Sequence, residues 1–133
     1  MTTIVEVLWL RLHAILGVFA DRLAAADPTL TRDVGRTAND VFMLRGYLAL
    51  RRHAHGAEVA ITIDVRGDDQ QLTIESDVCT DDGEVIAAGP STVIPLVESR
   101  PKVEAAISDW LRKFERFLLE KEQAVVTAAS KLA

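Results

Sequence analysis

The stretch from Glu58 to Leu96 constrains the fold most, because it is the only part of the chain in which apolar residues recur with a clean period of two and no competing helical spacing. The recurring apolar positions on either side of a polar break at 67–70 are Val59, Ile61, Ile63, Val65, Leu72, Ile74 and Val78. Such alternation predicts β-strands with one buried face. A turn at 68–69 would pair Val65 with Leu72 and would put every large apolar residue on the same face.

A second turn is predicted at Asp82-Gly83, where glycine can adopt a positive φ without steric cost, and it pairs Val78 with Ala87. These turns divide the stretch into strands at 58–66, 71–80 and 84–94. Proline cannot donate to a strand ladder, so Gly89-Pro90 predicts that the third strand is an edge strand, bent or broken at that point. The expected sheet is therefore a three-stranded antiparallel meander with one apolar face.

Residues 3–26 form a strongly apolar helix candidate, which must help to cover that face. Its apolar arc is wider than a surface helix needs, and this predicts burial on two sides, against the sheet and against another helix. Charges at Glu6 and Arg11 argue against a membrane span. The start carries no early Lys or Arg, which argues against a signal peptide cleaved after Ala24–Ala26. The expectation is a cytoplasmic protein with no membrane partner.

The segment 29–54 permits two interpretations. Apolar residues at Leu30, Val34, Val41, Leu44 and Leu48 follow helical spacing, and the basic residues at 51–53 suit a helix C-terminus, so a second helix is predicted. The residues from Val41 to Arg52 also alternate, which leaves a fourth strand before Val59 as the alternative for the second half.

The last predicted element is a long helix at 100–131, with Ser99 as its N-cap and a continuous apolar stripe along its length. The sequence thus predicts a single α+β domain spanning 1–133. It consists of two N-terminal helices, a three-stranded antiparallel meander and a long C-terminal helix packed on one face of the sheet.

Charge is distributed unevenly, and this bears on the kind of partner. Nine carboxylates lie between Glu58 and Glu84, and Arg66 is the only cation among them. An acidic surface repels phosphate backbones, so nucleic acid is not an expected partner and a basic protein is. The side chains expected to share the polar face of the sheet are Asp64, Glu75 and Asp77. They could hold a divalent ion or act as acid and base, but a solvated sheet face has the same pattern, and no His, Lys or Arg is expected on that face to match them.

No other combination of residues predicts chemistry. His53 and His55 could ligate a metal, but no nearby His or Cys completes a set of three or four ligands. Cys79 is a poor nucleophile candidate, because acidic neighbours raise the pKa of a thiol. The single cysteine also gives no reason to expect an oxidising compartment. The sequence therefore predicts no catalytic residue, no metal site, no cofactor and no enzymatic activity.

Two functions fit this pattern. The first is a protein-interaction module of the adaptor, immunity or regulatory-subunit type, which forms a homodimer through its helices and offers an acidic sheet face to a basic partner. The residues expected at the dimer seam are Trp110, Phe114, Phe117 and Leu118, since aromatic side chains dominate interface centres. The alternative is a small-ligand domain with an apolar pocket between helices and sheet, lined by Trp9, Phe42 or Tyr47. The high content of Ala and of Arg relative to Lys suggests a bacterial source.

Overall fold

The computed structural model describes residues 3–53 and 55–132, which form two helices and six strands. In chain order the elements are α1 (Ile4–Ala26), β1 (Thr31–Thr37), β2 (Leu44–Arg51), β3 (Glu58–Gly67), β4 (Gln71–Thr80), β5 (Val85–Ala88), β6 (Thr92–Pro95) and α2 (Arg100–Ser130). All strand pairs are antiparallel, in the order β1-β2-β3-β4-β5, and β6 also pairs with β4. The prediction of an α+β chain with an antiparallel sheet between an N-terminal and a C-terminal helix is confirmed.

The predicted second N-terminal helix is wrong, because the described residues 29–53 contain β1, a loop and β2. The last residue of that prediction, 54, lies outside the described residues. The alternative interpretation is correct for the second half of this segment, where β2 forms, whereas neither interpretation predicted β1. Every second residue of β2, from Leu44 to Leu50, faces the core, and an antiparallel partner on each side satisfies the backbone. Helical spacing of a few leucines is weak evidence for a helix when the same residues also alternate. Here pairing with the neighbouring strand β3 favours a strand. The sheet consequently has more strands than the predicted three-stranded meander.

The side chains of the β3–β4 hairpin lie on the predicted faces of the sheet, but the residues of the two strands do not pair in the predicted register. Val65 pairs with Ile74 and not with Leu72, which is a shift of two residues. The cause is the turn, in which the Asp68 carboxylate accepts hydrogen bonds from the backbone amides of Gln70 and Gln71. A shift of two leaves every side chain on its expected face, because the period of a strand is two.

The third predicted strand is broken at Gly89-Pro90, so that β5 and β6 pair with successive parts of β4 along one edge. The backbone at the break also forms hydrogen bonds with β4 and α2. The carbonyl of Pro90 accepts hydrogen bonds from Ser76 Oγ at 2.9 Å and from Trp110 Nε1 at 3.1 Å. The turn before β5 contains Gly83 at φ 85°, as its sequence predicts. Val78 pairs with Ala87, which was also expected.

Both helices cover the same face of the sheet. α1 lies over β1 and β2, and α2 lies over β3, β5 and β6. The contact with β2 is close, because a Cβ added at Gly46 would lie 3.0 Å from Trp9 Cζ3. Arg11 of α1 contacts Ser108 of α2, and Arg22 contacts Glu122 further along, so the two helices run in the same direction.

The free edge of the sheet is β1, and two arginines protect it. Arg32 and Arg36 point to the helix side, where they form ion pairs with Asp21 at 3.0 Å and with Glu6 at 3.1 Å. Charged side chains at an edge strand oppose pairing with a further strand. Pro90 and Pro95 interrupt the opposite edge. Both edges of the sheet are therefore poorly suited to pairing with a further strand.

Candidate functional site

The face of the sheet that points away from the helices, called the outer face below, carries no covering element among residues 3–53 and 55–132. Strand alternation and register assign to its centre Arg45, Tyr47, Ala49, Ala60, Thr62, Asp64, Thr73, Glu75, Asp77 and Cys79. An antiparallel sheet can keep one face in water, so this exposure is compatible with a stable fold. The outer face contains the polar face on which Asp64, Glu75 and Asp77 were expected.

The three carboxylates expected on this face do lie together. Asp64 of β3 is directly opposite Glu75 of β4, and Asp77 is opposite Thr62 two residues further along the ladder. Side chains directly opposite each other on antiparallel strands have their Cβ atoms about 5 Å apart. The structure therefore brings Asp64, Glu75 and Asp77 into one cluster on two neighbouring strands.

The expectation that this face has no matching cations is wrong, because residues 44–51 form a strand and not a helix. Strand β2 brings Arg45 beside Asp64, and the guanidinium donates two hydrogen bonds of 2.6 and 3.2 Å to the carboxylate. This contact raises the pKa of Arg45 above its ordinary value. Arg66 similarly pairs with Glu75. Partly exposed pairs of this kind contribute little stability each, but they neutralise two of the three carboxylates.

Asp77 is the carboxylate of this cluster that forms no ion pair among the described residues, although its charge, after that of Asp64, helps to raise the pKa of Arg45. Thr62 Oγ1 donates a hydrogen bond of 2.6 Å to Asp77 Oδ1, and the side chain is half-buried. Its neighbour Cys79 points to the same face. Burial raises the pKa of the Cys79 thiol, and the Asp77 carboxylate raises it further. A thiol with a raised pKa is a weak nucleophile at neutral pH, so this arrangement does not favour covalent catalysis.

Carboxylates at the two hairpin ends of the outer face are used to stabilise turns. Backbone amides of Gln70 and Gln71 lower the pKa of Asp68 by donating hydrogen bonds to it. The Thr80 hydroxyl lowers the pKa of Asp82, helped by the backbone amide of Glu84. No group of three or more His, Cys, Asp or Glu side chains in the described part of the chain is arranged to hold a metal ion, and this includes His53 and His55.

The four residues expected at a dimer seam lie inside a single chain. Trp110, Phe114, Phe117 and Leu118 are all buried in the core between α2 and the sheet. Trp110 stacks on Phe114 with a centroid separation of 5.1 Å. The physical reason is that the extra strands β1 and β2 pack against α1, which leaves β3, β5 and β6 to cover the apolar stripe of α2. None of these side chains is more than 8% exposed, so they offer little surface for a seam in the folded chain.

The three residues expected to line a ligand pocket lie in different places. Trp9 is buried under Gly46, with Arg36 at 5.4 Å from its ring centroid. Tyr47 lies on the outer face and covers Gly35. Phe42 belongs to the loop before β2, where its ring stacks on Arg45 at 4.2 Å. They do not share a cavity.

Two grooves were not found from the sequence. The first, called the helix groove below, has a volume of about 450 Å³ and is lined by Ala14, Ile15, Val18, Phe19, Arg22, Glu115, Leu118 and Leu119. The second, called the C-terminal groove, has a volume of about 600 Å³ and is lined by Val59, Thr80, Glu84, Val85, Ile86, Gln123, Ala124, Thr127, Ala128, Lys131 and Leu132. The signal for the helix groove was the wide apolar arc of α1, whose outward residues a single sheet cannot cover.

In the described part of the chain, neither helix is both long enough and apolar enough to span a membrane. Comparison of the chain with protein-family models, with curated proteins and with solved structures found no match.

Proposed function

We propose that this chain is a small protein-interaction module, which acts as a homodimer through its helices and binds a basic partner on the outer face of its sheet. The proposed role is binding without a chemical reaction, in the cytoplasm. The observation that carries the proposal is the division of the fold into two sides. Both helices cover one face of the sheet, and the other face is left open with a partly uncompensated acidic cluster.

The acidic character of the outer face supports a basic partner. Asp77 lies near its centre with an uncharged partner, Thr62, and the carboxylates of the hairpin ends add negative charge around it. The cations that the structure adds, Arg45 and Arg51, each pair with a carboxylate of β3. A basic surface that approached this face would be attracted to Asp77. Its cations could also replace Arg45 and Arg51 as partners of the β3 carboxylates.

Association with an oligoarginine peptide tests this proposal. We expect the association rate to fall about 10-fold or more from low to high salt, because electrostatic attraction between exposed charges is screened. Asp77→Asn should slow association several-fold at low salt. The control is Glu120→Gln, which removes an exposed carboxylate from α2 on the helix side. A rate that does not change with salt, or an equal effect of the two variants, would contradict the proposal. Stopped-flow fluorescence with a labelled peptide gives the rates.

A small ligand is the second candidate, and the C-terminal groove favours it. The groove lies between the end of α2 and the β4–β5 hairpin, and its volume of about 600 Å³ falls in the range of ligand sites. Its floor contains the buried Val59 and the half-buried Ile86 and Ala128, whereas Glu84 and Lys131 are exposed at its rim. An apolar molecule with a polar end fits this distribution.

Binding of the amphiphilic dye anilinonaphthalene sulfonate to the folded protein tests the ligand candidate. Ala124→Trp should reduce dye affinity about 10-fold or more, because the added ring fills the groove that Ala124 lines. Ala105→Trp is the matched control, since Ala105 is an exposed alanine of the same helix outside the groove. Equal dye fluorescence in both variants and the wild type would rule out the C-terminal groove as the site.

A further inference from the structure

We propose that a second copy of this chain covers the helix groove, with the α1 helices of the two copies packed antiparallel around a two-fold axis near Ala14 and Gly17. This inference rests on the homodimer of the proposed function and identifies the surface that forms it. It replaces the seam expected on the buried side chains of α2.

The first argument is exposed apolar surface on the helix layer. Leu10 is 63% exposed, Val18 is 65% exposed and Leu119 is 56% exposed, and all three lie on the side of the helices that faces away from the sheet. Leu10 and Val18 are two helical turns apart, so they project from the same side of α1. Val18 and Leu119 also line the helix groove, and Leu10 adds apolar surface two turns before Val18. Monomers rarely expose a large apolar patch.

The second argument is Gly17, which lies in the interior of α1. Glycine is among the least favourable residues in a helix interior. The single chain gives no packing reason for it, because a Cβ added there would meet no atom within 4 Å. A second helix that crosses close to Gly17 would supply that reason, since a residue without a side chain permits close approach of two backbones.

The third argument is charge, and it selects the direction of the second helix. Arg11 and Asp21 are both exposed and lie on either side of the Ala14–Val18 segment. Within one chain Arg11 donates to Ser108 and Asp21 pairs with Arg32, so a contact between copies would share these groups with their present partners. An antiparallel α1 centred between them places Arg11 of one copy near Asp21 of the second copy, twice by symmetry. A parallel α1 would instead place Arg11 near Arg11 and Asp21 near Asp21. The surface is therefore complementary to itself in the antiparallel arrangement, as a two-fold axis requires.

The available area is adequate for a dimer. α1 has 23 residues and is therefore about 35 Å long, and two adjacent helices are roughly 20 Å wide, which gives about 700 Å² per copy. Stable interfaces bury about 800 Å² per partner. The free edges of the sheet do not compete, because Arg32 and Arg36 protect one and the prolines interrupt the other.

Light scattering and sedimentation equilibrium at micromolar concentration test this inference. The wild type should have twice the 14.6 kDa mass of one chain. Val18→Glu should weaken association about 100-fold or more, because it places a charged carboxylate in an apolar part of the seam. Val93→Glu is the matched control, since Val93 is 55% exposed on the outer face, and it should leave the dimer intact. Circular dichroism shows whether each variant is folded.

The outcomes separate this inference from the proposed function. A monomeric wild type would overturn the homodimer of the proposed function and this inference with it, but not the binding of a basic partner. A dimeric wild type that Val18→Glu leaves unchanged, or that Val93→Glu dissociates, would overturn only the surface proposed here.

Disulfide crosslinking tests the geometry even if Val18→Glu fails to fold. In a Cys79→Ser background, which removes the only native thiol, Ala14→Cys should form a covalent dimer readily because two copies of residue 14 lie near the axis. Ala105→Cys on the exposed side of α2 should not. Crosslinking at residue 105 and not at residue 14 would overturn the arrangement. Gly17→Ala should weaken association without destabilising the fold, and unchanged association would place the helix crossing elsewhere.

Discussion

Phe114→Ala should lower the free energy of unfolding by about 3 to 5 kcal/mol, as complete truncation of a buried aromatic side chain does. Phe114 is 0% exposed, and its ring stacks between Trp110 and Phe117. Removal of the ring would leave a cavity that the rigid sheet and helix cannot close. Urea denaturation followed by circular dichroism measures the loss.

The control is Phe42→Ala, because Phe42 is half-buried in a loop and its main contact is Arg45. It should cost about 1 kcal/mol or less. The experiment also distinguishes a place in the core from a place in a dimer seam for the aromatic side chains of α2. A core residue destabilises the chain at every protein concentration, whereas a seam residue would mainly change association. A loss below about 1 kcal/mol for Phe114→Ala would contradict the core described here.

Gly89→Ala should cost about 1 to 3 kcal/mol, because the added methyl group overpacks a closed site. A Cβ at this position would overlap Ser76 Oγ and would lie 3.1 Å from Phe117 Cε2. The serine could rotate away, but it would then lose its hydrogen bond to the Pro90 carbonyl. Chemical denaturation again measures the free energy of unfolding.

A double-mutant cycle with Ser76→Ala identifies the cause. Ser76→Ala alone should cost about 1 kcal/mol for the lost hydrogen bond. Together the two substitutions should cost less than the sum by about 1 kcal/mol, because the overlapping oxygen is gone. Additive effects would show that the overlap with Ser76 is not the source of the destabilisation, and contact with Phe117 would then be responsible.

The sequence predicted those parts of the fold in which local pattern and tertiary environment agree. The period of two between Val59 and Val78 identified the faces of β3 and β4, and Gly89-Pro90 located the break in the edge strand. The register of the β3–β4 hairpin depended on one side chain, Asp68, whose hydrogen bonds move the turn by one residue. Periodicity alone carries no information on such a contact.

The candidate surfaces were less accessible to sequence reasoning, and the error in 29–54 explains most of it. Assignment of that segment to a helix removed Arg45 and Arg51 from the outer face, so the acidic cluster seemed to lack cations. It also made the sheet too narrow to cover α2, which left Trp110 and Phe114 as expected seam residues. The same two strands, β1 and β2, bury α1 on one side and leave Leu10 and Val18 exposed on the other.

The shared direction of α1 and α2 determines where the ends of the described chain lie. Ile4 is at one end of the helix layer and Ser130 is at the other, about 40 Å away along the helix axes at 1.5 Å per residue. A linker that joined them in a circularly permuted version would need at least about 12 extended residues to cross that distance. Fusion proteins attached at the two ends would accordingly lie on opposite sides of the molecule, well separated from each other.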